Sequence, residues 1–333
     1  MTDPLFAKPT DNAIFGALRG GSAEPTFAGA LSFMRRRYTR DLAGVDVCIW
    51  GVPFDGAVSN RPGARFGPQA IRRASAIFDG DPQYPFRVDP FAAMTVIDYG
   101  DCGFDYGRPS QIASAIETAA RTILASGAAL FTLGGDHFVT YPLLRAHCAK
   151  YGPLALVQFD AHQDTWPDAG DRIDHGTFVG RAVREGLVDP ARSVQIGVRT
   201  HAPDDCGIKI LDADSVDRLG PTGVAAAVLE RVGQGPAYLT FDIDALDPAF
   251  GPGTGTPVAG GLTTREALAI LRALAPLDFV GGDVVEVAPA YDHADITAIA
   301  AATIAMHWLA MRSVKLSKGT PSQGKPNQGE PHV

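Results

Sequence analysis

The sequence predicts an α/β fold in which a parallel sheet carries helices on both faces. Short apolar runs alternate with amphipathic stretches from residue 45 to residue 311, the order that parallel strands with helical crossovers require. With 333 residues the chain is long enough to bury a large core. No internal repeat and no linker interrupts the alternation, so we expect a single domain over residues 41–313.

The predicted strands are short, apolar and bounded by turn residues. In chain order they are Val45–Val52, Met94–Asp98, Ala129–Leu133, Leu154–Phe159, Ser193–Val198, Ile208–Leu211, Tyr238–Phe241 and Phe279–Val287. Helical patterns follow most of them, at Ser110–Ala125, Tyr141–Lys150, Gly223–Val232, Thr264–Ala275 and Ile296–Met311. Thr263 and Glu266 have the spacing of a capping box, which marks Glu266 as a structural residue and not a catalytic acid.

The two ends of the chain differ from this region. Residues 1–40 carry no strong periodic pattern and end in the basic cluster Arg35-Arg36-Arg37. We expect an N-terminal arm that packs on the surface or on a neighbouring subunit. Residues 314–333 are rich in Ser, Lys, Gly, Pro and Gln and contain too little apolar surface to fold, so a disordered tail is predicted.

Composition excludes several classes of protein. A hydrophobic content of 46% with 20% charged residues is typical of soluble globular proteins, and no apolar run approaches the roughly 20 residues that span a bilayer. No secretory signal is visible, and the four scattered cysteines are expected to be reduced thiols of a cytoplasmic protein. The net charge of -8, without a basic stripe, argues against a nucleic-acid partner.

Two acid-rich segments directly follow predicted strands. Asp160-Ala161-His162-Gln163-Asp164 follows Leu154–Phe159, and Asp242 and Asp244 follow the apolar run Ala237–Phe241. Because ligands of parallel sheets bind at the carboxyl ends of strands, these side chains are expected to meet at one edge. Their mutual repulsion and desolvation would be costly without a cation. An oxygen-rich set without thiolates favours a hard divalent ion such as manganese over structural zinc.

Further polar residues occupy the same position after other strands. Gly134-Gly135-Asp136-His137 follows Ala129–Leu133, and Glu286 follows Gly282–Val285. Each motif alone also has a structural explanation, such as solvated acids or a tight turn, but their combination favours a metal site. Asp136 is expected to support His137 without binding metal. Two ions can share the candidate ligands if Asp160 and Asp242 bridge, with a nucleophilic water or hydroxide between them. The candidate ligands are His137, Asp160, His162, Asp164, Asp242 and Asp244.

Three segments resemble the signatures of the ureohydrolases, the arginase and agmatinase family. These are Gly134–Thr140, Asp160–Thr165 and Tyr238–Pro248. Two others, Gly253–Pro257 and Asp283–Asp292, are similar to agmatinases in particular. The resemblance runs from about Val45 to about Met311. It implies an arginase-like three-layer α/β/α sandwich with an eight-stranded, mostly parallel sheet, and assembly into a homo-trimer or homo-hexamer.

The resemblance also implies a catalytic centre with two Mn²⁺ ions and a hydroxide between them. Glu286 matches the family residue that orients the guanidinium, and His175, in Asp174-His175-Gly176-Thr177, matches the residue that protonates the leaving amine. The implied ligands are His137, Asp160, Asp164 and Asp242 for one ion and Asp160, His162, Asp242 and Asp244 for the other.

The expected reaction is hydrolysis of a small cationic guanidino substrate, agmatine, to putrescine and urea. An acidic guanidino compound such as 4-guanidinobutyrate or 3-guanidinopropionate is the alternative on the same metals. Gln163 departs from the small polar residue usual at its position, and the loop Trp166–Asp174 is expected to line the entrance. We expect both positions to bear on the choice of substrate. A non-catalytic scaffold and a single-zinc deacetylase on a related fold are further alternatives. The second has no use for ligands such as His137, Asp164 and Asp244.

Overall fold

The computed structural model describes residues 11–22, 24–78 and 82–319, with side-chain positions as far as Leu316. The strands in this part of the chain are β1 (Val47–Val52), β2 (Val96–Asp101), β3 (Ala129–Gly134), β4 (Ala155–Phe159), β5 (Val194–Ile196), β6 (Lys209–Leu211), β7 (Pro236–Asp242) and β8 (Asp278–Val285). They form one sheet of order β2-β1-β3-β8-β7-β4-β5-β6, and every pairing between them is parallel. The predicted eight-stranded parallel sheet is therefore confirmed.

Helices cover both faces of the sheet. The helices of the described residues are α1 (Asn12–Phe15), α2 (Gly67–Ser75), α3 (Pro90–Ala93), α4 (Pro109–Ala125), α5 (Thr140–Tyr151), α6 (Phe178–Arg184), α7 (Ala213–Val232), α8 (Thr264–Ala273) and α9 (Ile296–Gly319). Buried residues of α2, α7, α8 and α9 pack in one core cluster, and those of α4, α5 and α6 pack in a second. Alternate residues of six strands, β1 to β4, β7 and β8, enter the two clusters, as Ile49 and Trp50 do. The result is the predicted three-layer α/β/α sandwich.

Most predicted elements occur, and the capping box is confirmed, since Thr263 and Glu266 bond to each other's backbone. The sequence did not predict α2 or α6. It also placed the start of α7 too late, because Gly220, at φ +63°, and Pro221 kink the helix and break its pattern. α9 continues to Gly319, so residues 314–319 are helical and the predicted disordered tail there is wrong. Residues 320–333 lie outside the described part of the chain.

The N-terminal segment is tied to its own subunit by the basic cluster. Arg35 and Arg36 are buried, and their guanidinium groups donate to the carbonyl oxygens of Phe78 (3.1 Å) and Gly20 (2.7 Å). Phe33, just before them, belongs to the larger core cluster. This part of the predicted arm therefore packs on the domain itself. Residues 1–10 lie outside the described chain.

The connectivity of the sheet determines where functional side chains meet. β3, β8, β7 and β4 are neighbours at the centre of the sheet, and their carboxyl ends lie at the same edge.

None of the helices in the described chain combines the length and apolar character that crossing a membrane requires.

Candidate metal centre and active site

The first group of predicted ligands surrounds one imidazole nitrogen. Nδ1 of His137 lies 3.0 Å from Oδ2 of Asp160 and 3.1 Å from Oδ2 of both Asp164 and Asp242. All four side chains are buried. His137 follows β3, Asp160 and Asp164 follow β4, and Asp242 ends β7, so chain segments far apart in sequence converge here.

The second group shares Asp160 with the first. Nδ1 of His162 lies 3.4 Å from Oδ1 of Asp160 and 3.1 Å from Oδ2 of Asp244. Asp160 therefore offers Oδ2 to the first group and Oδ1 to the second, an arrangement that would let this carboxylate bridge two ions. Each group brings ligand atoms close enough to hold a metal ion. The structure thus brings together all six residues that the sequence singled out as metal ligands.

Local backbone structure places the side chains of the first group. A Cβ atom on Gly135 would lie 1.7 Å from the carbonyl oxygen of Phe54, so the turn after β3 accepts only glycine there. Asp136 then caps a 3₁₀ turn by accepting from the N–H of Phe138 (3.2 Å), and its other oxygen accepts from the N–H of Ala57 (2.8 Å). Asp136 belongs to neither ligand group, which agrees with the supporting role expected of it.

A chain of hydrogen bonds behind His137 sets its tautomer. Nε2 of His137 lies 2.8 Å from the hydroxyl of Thr240, and this hydroxyl donates its hydrogen to Asp283 at 2.6 Å. Nε2 of His137 therefore carries the proton of that bond. Burial lowers the pKa of His137, but hydrogen bonds to Asp160, Asp164 and Asp242 outweigh it and raise that pKa well above its usual value. In the chain alone Nδ1 is thus protonated as well, and a bound metal ion would take the place of that proton. Asp283 is held in turn by the hydroxyls of Thr140 (3.0 Å) and Tyr238 (2.8 Å).

Buried amides hold the bridging carboxylate. Nε2 of Gln158 donates to Oδ2 of Asp160 at 2.7 Å, and Nε2 of Gln195 donates to Oε1 of Gln158 at 2.9 Å. Both glutamines are fully buried on adjacent strands, β4 and β5. The orientation of Asp160 is therefore built into the sheet and does not depend on a ligand.

The pKa shifts of Asp164 and His162 show that this cluster binds protons when no metal ion is present. Burial raises the pKa of Asp164 to about 7, and the nearby charge of Asp160 adds to the rise. Burial favours the neutral imidazole of His162, but hydrogen bonds to Asp160 and Asp244 outweigh it and raise that pKa to about 12. In the chain alone, protons neutralise the cluster. A divalent cation would do so without protons, so these residues fit a metal centre.

His175 and Glu286 contact each other beside the metal ligands. Oε1 of Glu286 lies 2.8 Å from Nδ1 of His175 and also accepts from the backbone N–H of His137 at 2.9 Å. Glu286 has φ +63°, a strained conformation for a non-glycine residue, and its N–H donates to the carbonyl of Gly135 (2.8 Å). Oε2 of Glu286 is buried and has no hydrogen-bond partner among the described residues.

The environment of His175 raises its pKa. Burial lowers its pKa, but the negative charge of Glu286 and the hydrogen bond to it prevail and raise the pKa to about 9. On the other side of the ring, Nε2 accepts from the backbone N–H of Ser59 at 3.1 Å and lies 2.8 Å from the hydroxyl of the same residue. This pKa lies above the ordinary value for a histidine, which is near 6.5.

A cavity of about 400 Å³ opens over the two ligand groups. The predicted loop Trp166–Asp174 lines it, as expected, through Trp166, Pro167, Arg172 and Asp174. Gln163 does not line it, because its Oε1 accepts from the backbone N–H of Ala202 (2.7 Å). The expectation that Gln163 bears on substrate choice therefore loses its basis. Of the predicted site residues, those that line the cavity are His162, Asp164, His175 and Asp242, whereas His137, Asp160, Asp244 and Glu286 do not.

Comparison with known proteins places this geometry in a family. Residues 45–311 match the Arginase family. The chain belongs to that family. It is 53% identical over 320 residues to the agmatinase of Chromobacterium violaceum, a match that covers 93% of this chain and 99% of that protein.

Solved structures agree with this placement. A hypothetical agmatinase from Burkholderia thailandensis is 55% identical, with a TM-score of 0.91 over 92% of this chain and 98% of that one. Proclavaminate amidino hydrolase from Streptomyces clavuligerus is 41% identical, with a TM-score of 0.84 over 87% of this chain and 99% of that one. This Arginase-family protein is a hydrolase that acts on guanidino compounds.

Several residues of this Arginase-family site were missed by the sequence analysis. Gln158, Thr240 and Asp283 lie inside buried strands, where a polar side chain among apolar neighbours was a usable signal. Ser59 lies in a loop remote in sequence from His175, and no local pattern distinguishes it from other loop serines.

Proposed function

We propose that this protein hydrolyses agmatine to putrescine and urea with two Mn²⁺ ions. The observation that carries the proposal is the pair of ligand groups sharing Asp160 beside a cavity of about 400 Å³. The identity of 53% to an agmatinase over nearly the full length of both chains supports agmatine as the substrate.

The donor atoms support an oxygen-preferring divalent pair. Asp160 and Asp242 are the proposed bridges. Carboxylate oxygens with one imidazole per ion suit Mn²⁺ better than a thiolate-preferring metal. When bound, two such ions lower the pKa of a water molecule and so supply a nucleophile at neutral pH. The proposed ligands are His137, Asp160, Asp164 and Asp242 for one ion, and Asp160, His162, Asp242 and Asp244 for the other.

Glu286 and His175 are the proposed catalytic residues. Oε2 of Glu286, which has no partner among the described residues, accepts from the substrate guanidinium and orients it. Oε1 remains bonded to Nδ1 of His175 and stabilises the imidazolium. His175 is the proposed source of the proton for the leaving amine, which is strongly basic and departs only when protonated. Ser59 holds the ring, since its backbone N–H donates to Nε2 at 3.1 Å and its hydroxyl lies 2.8 Å from the same nitrogen.

The alternative substrate is an acidic guanidino compound such as 4-guanidinobutyrate or 3-guanidinopropionate. One observation favours it: Arg172 lines the cavity and could pair with a distal carboxylate. The 41% identity to the proclavaminate amidino hydrolase also supports a substrate other than agmatine.

A substrate panel separates the two. Urea release by the manganese-loaded protein is measured with agmatine, 4-guanidinobutyrate, 3-guanidinopropionate and arginine. We expect the highest kcat/KM with agmatine. A clear preference for a carboxylate-ended substrate would overturn agmatine as the substrate and leave the class of reaction intact.

The proposal includes a cytoplasmic location and assembly into a homo-trimer or homo-hexamer, which family membership supports. Light scattering on the purified, manganese-loaded protein measures the assembly directly. A monomer at micromolar concentration would contradict it.

A further inference from the structure

We propose that Asp174 and Trp166 form the subsite for the distal cationic group of the substrate, and that Arg172 occupies this subsite while substrate is absent. The inference rests on the proposed function, because it explains how the site would select a guanidine whose other end is an ammonium. It assigns three residues of the cavity that neither bind metal nor transfer a proton in the mechanism above.

The backbone holds the side chain of Asp174, whereas Arg172, which pairs with it, is mostly exposed to solvent. Oδ1 of Asp174 accepts from the backbone N–H of Gly176 at 2.9 Å, and Oδ2 lies 2.6 Å from Nη2 of Arg172. The side chain of Asp174 is 17% exposed and that of Arg172 is 65% exposed. A mostly buried carboxylate held by the backbone is therefore neutralised by an arginine that reaches in from solvent.

Trp166 links this carboxylate to the metal ligands. The N–H of Trp166 donates to the carbonyl of Gly176 at 3.1 Å. A Cβ atom on Gly176 would lie 3.5 Å from Oδ1 of Asp174 and 3.8 Å from Cε3 of Trp166, so the two side chains flank the same glycine. On its other side, the Trp166 ring centroid lies 6.5 Å from that of His162. The indole is thus near both a proposed metal ligand and Asp174.

Asp174 is the carboxylate of the cavity wall that belongs to neither ligand group, so it is available to a distal ammonium. Among the lining residues, His162, Asp164 and Asp242 belong to the ligand groups and His175 is the proposed acid. The other charged lining residues are Asp174 and Arg172. A carboxylate beside an indole ring attracts an alkylammonium by ion pairing and by cation–π interaction.

The Arg172 ion pair is suited to exchange. An exposed arginine gains little from a surface ion pair and loses side-chain entropy when it is held there. A substrate cation that is already anchored by its guanidinium end replaces one positive charge with another at Asp174. Arg172 then returns to solvent, and the carboxylate stays paired throughout.

Kinetics of two variants test the subsite. Asp174→Asn and Arg172→Gln are compared with the wild type on agmatine and on 1-butylguanidine, which has the same carbon chain but no ammonium. For Asp174→Asn we expect KM for agmatine to rise by about tenfold or more, since a charged hydrogen bond is lost. The constant for 1-butylguanidine, measured as KM or as a competitive Ki, is expected to stay unchanged. For Arg172→Gln we expect KM for agmatine to fall, because the internal competitor is gone; an unchanged KM would show that Arg172 does not occupy the subsite.

Other results would overturn the subsite. A purely structural role for Asp174 would weaken both guanidines by the same factor. A rise in KM for agmatine in Arg172→Gln would show that Arg172 assists binding and does not compete. Should Asp174→Asn fail to fold, as judged by manganese content, Arg172→Gln still decides, since it alters an exposed side chain. Failure of the proposed function shows separately, in the wild-type substrate panel, whereas failure of the subsite appears only in the variants.

Discussion

Nδ1 of His175 and Oε1 of Glu286 lie 2.8 Å apart, which joins the proposed acid and the proposed guanidinium-orienting carboxylate in one ion pair. The two residues come from different elements: His175 precedes α6 and Glu286 follows β8. Because one oxygen of Glu286 is engaged, only Oε2 is available to the substrate among the contacts described. The protonation of His175 and the placement of the guanidinium are therefore coupled.

The first prediction concerns the pH dependence of catalysis. The negative charge of Glu286 outweighs burial and raises the pKa of His175 to about 9, and the acid must be protonated to act. We expect kcat/KM for agmatine to be retained near pH 8 and to fall as pH rises through about 9. In Glu286→Gln the pKa of His175, followed by NMR, should drop because the charge is lost. Manganese content should be retained while turnover is lost.

An unchanged His175 pKa in Glu286→Gln would refute the ion pair. Loss of manganese from that variant would instead indicate that Glu286 holds the metal centre through its bond to the backbone of His137.

The second prediction separates the two ligand groups. Asp160 offers one oxygen to each group, whereas Asp244 belongs to one. Asp160→Ala should therefore lose both ions, and Asp244→Ala should retain the ion held by the His137 group. Elemental analysis of the purified variants gives the metal content per chain. Equal metal content in the two variants would argue against Asp160 as a bridge.

The third prediction tests the hydrogen bond behind His137. Thr240→Val removes the acceptor for Nε2 of His137, so manganese should bind about 10- to 100-fold more weakly. Thr132→Val is the matched control, since Thr132 lies fully buried on β3 and its hydroxyl has no partner among the described residues. Titration calorimetry with Mn²⁺ measures both. Equal affinities would show that the tautomer of His137 does not depend on Thr240.

The fourth prediction concerns metal binding and pH. Burial, followed by the charge of Asp160, raises the pKa of Asp164 to about 7, so much of this carboxyl is protonated below pH 7 in the metal-free chain. A metal must displace that proton, and affinity should therefore increase from pH 6 to pH 8 with release of protons on binding. Calorimetry in two buffers of different ionisation enthalpy counts the protons. An affinity independent of pH across this range would contradict a protonated Asp164.

The sequence predicted which residues form the candidate metal site more completely than it predicted the contacts around that site. His137, Asp160 and Asp242 could be placed together because each follows a recognisable strand, and parallel strands end at a common edge. The predicted ligands required no tertiary detail beyond that rule. The contact between His175 and Glu286 did require it, since it depends on a loop whose path follows from packing and not from periodicity.

The predictions for Gln163 and for the start of α7 were wrong for physical reasons that sequence patterns do not show. Gln163 occupies a motif position next to metal ligands, yet its amide turns away to bond the backbone of Ala202. The rotamer of Gln163 determines this contact, and the alternation of strands and helices in the sequence gives no indication of a rotamer. α7 was shortened in the prediction because Gly220 and Pro221 usually end helices, whereas here the helix resumes after a kink.

The parallel sheet has a consequence for how the two ligand groups respond to change. Both groups draw on the ends of β4 and β7, which are hydrogen-bonded neighbours. A substitution that shifted one of these strands against the other would therefore disturb both groups at once. A substitution in the cavity wall, such as one at Arg172, can alter which guanidine enters without moving either group.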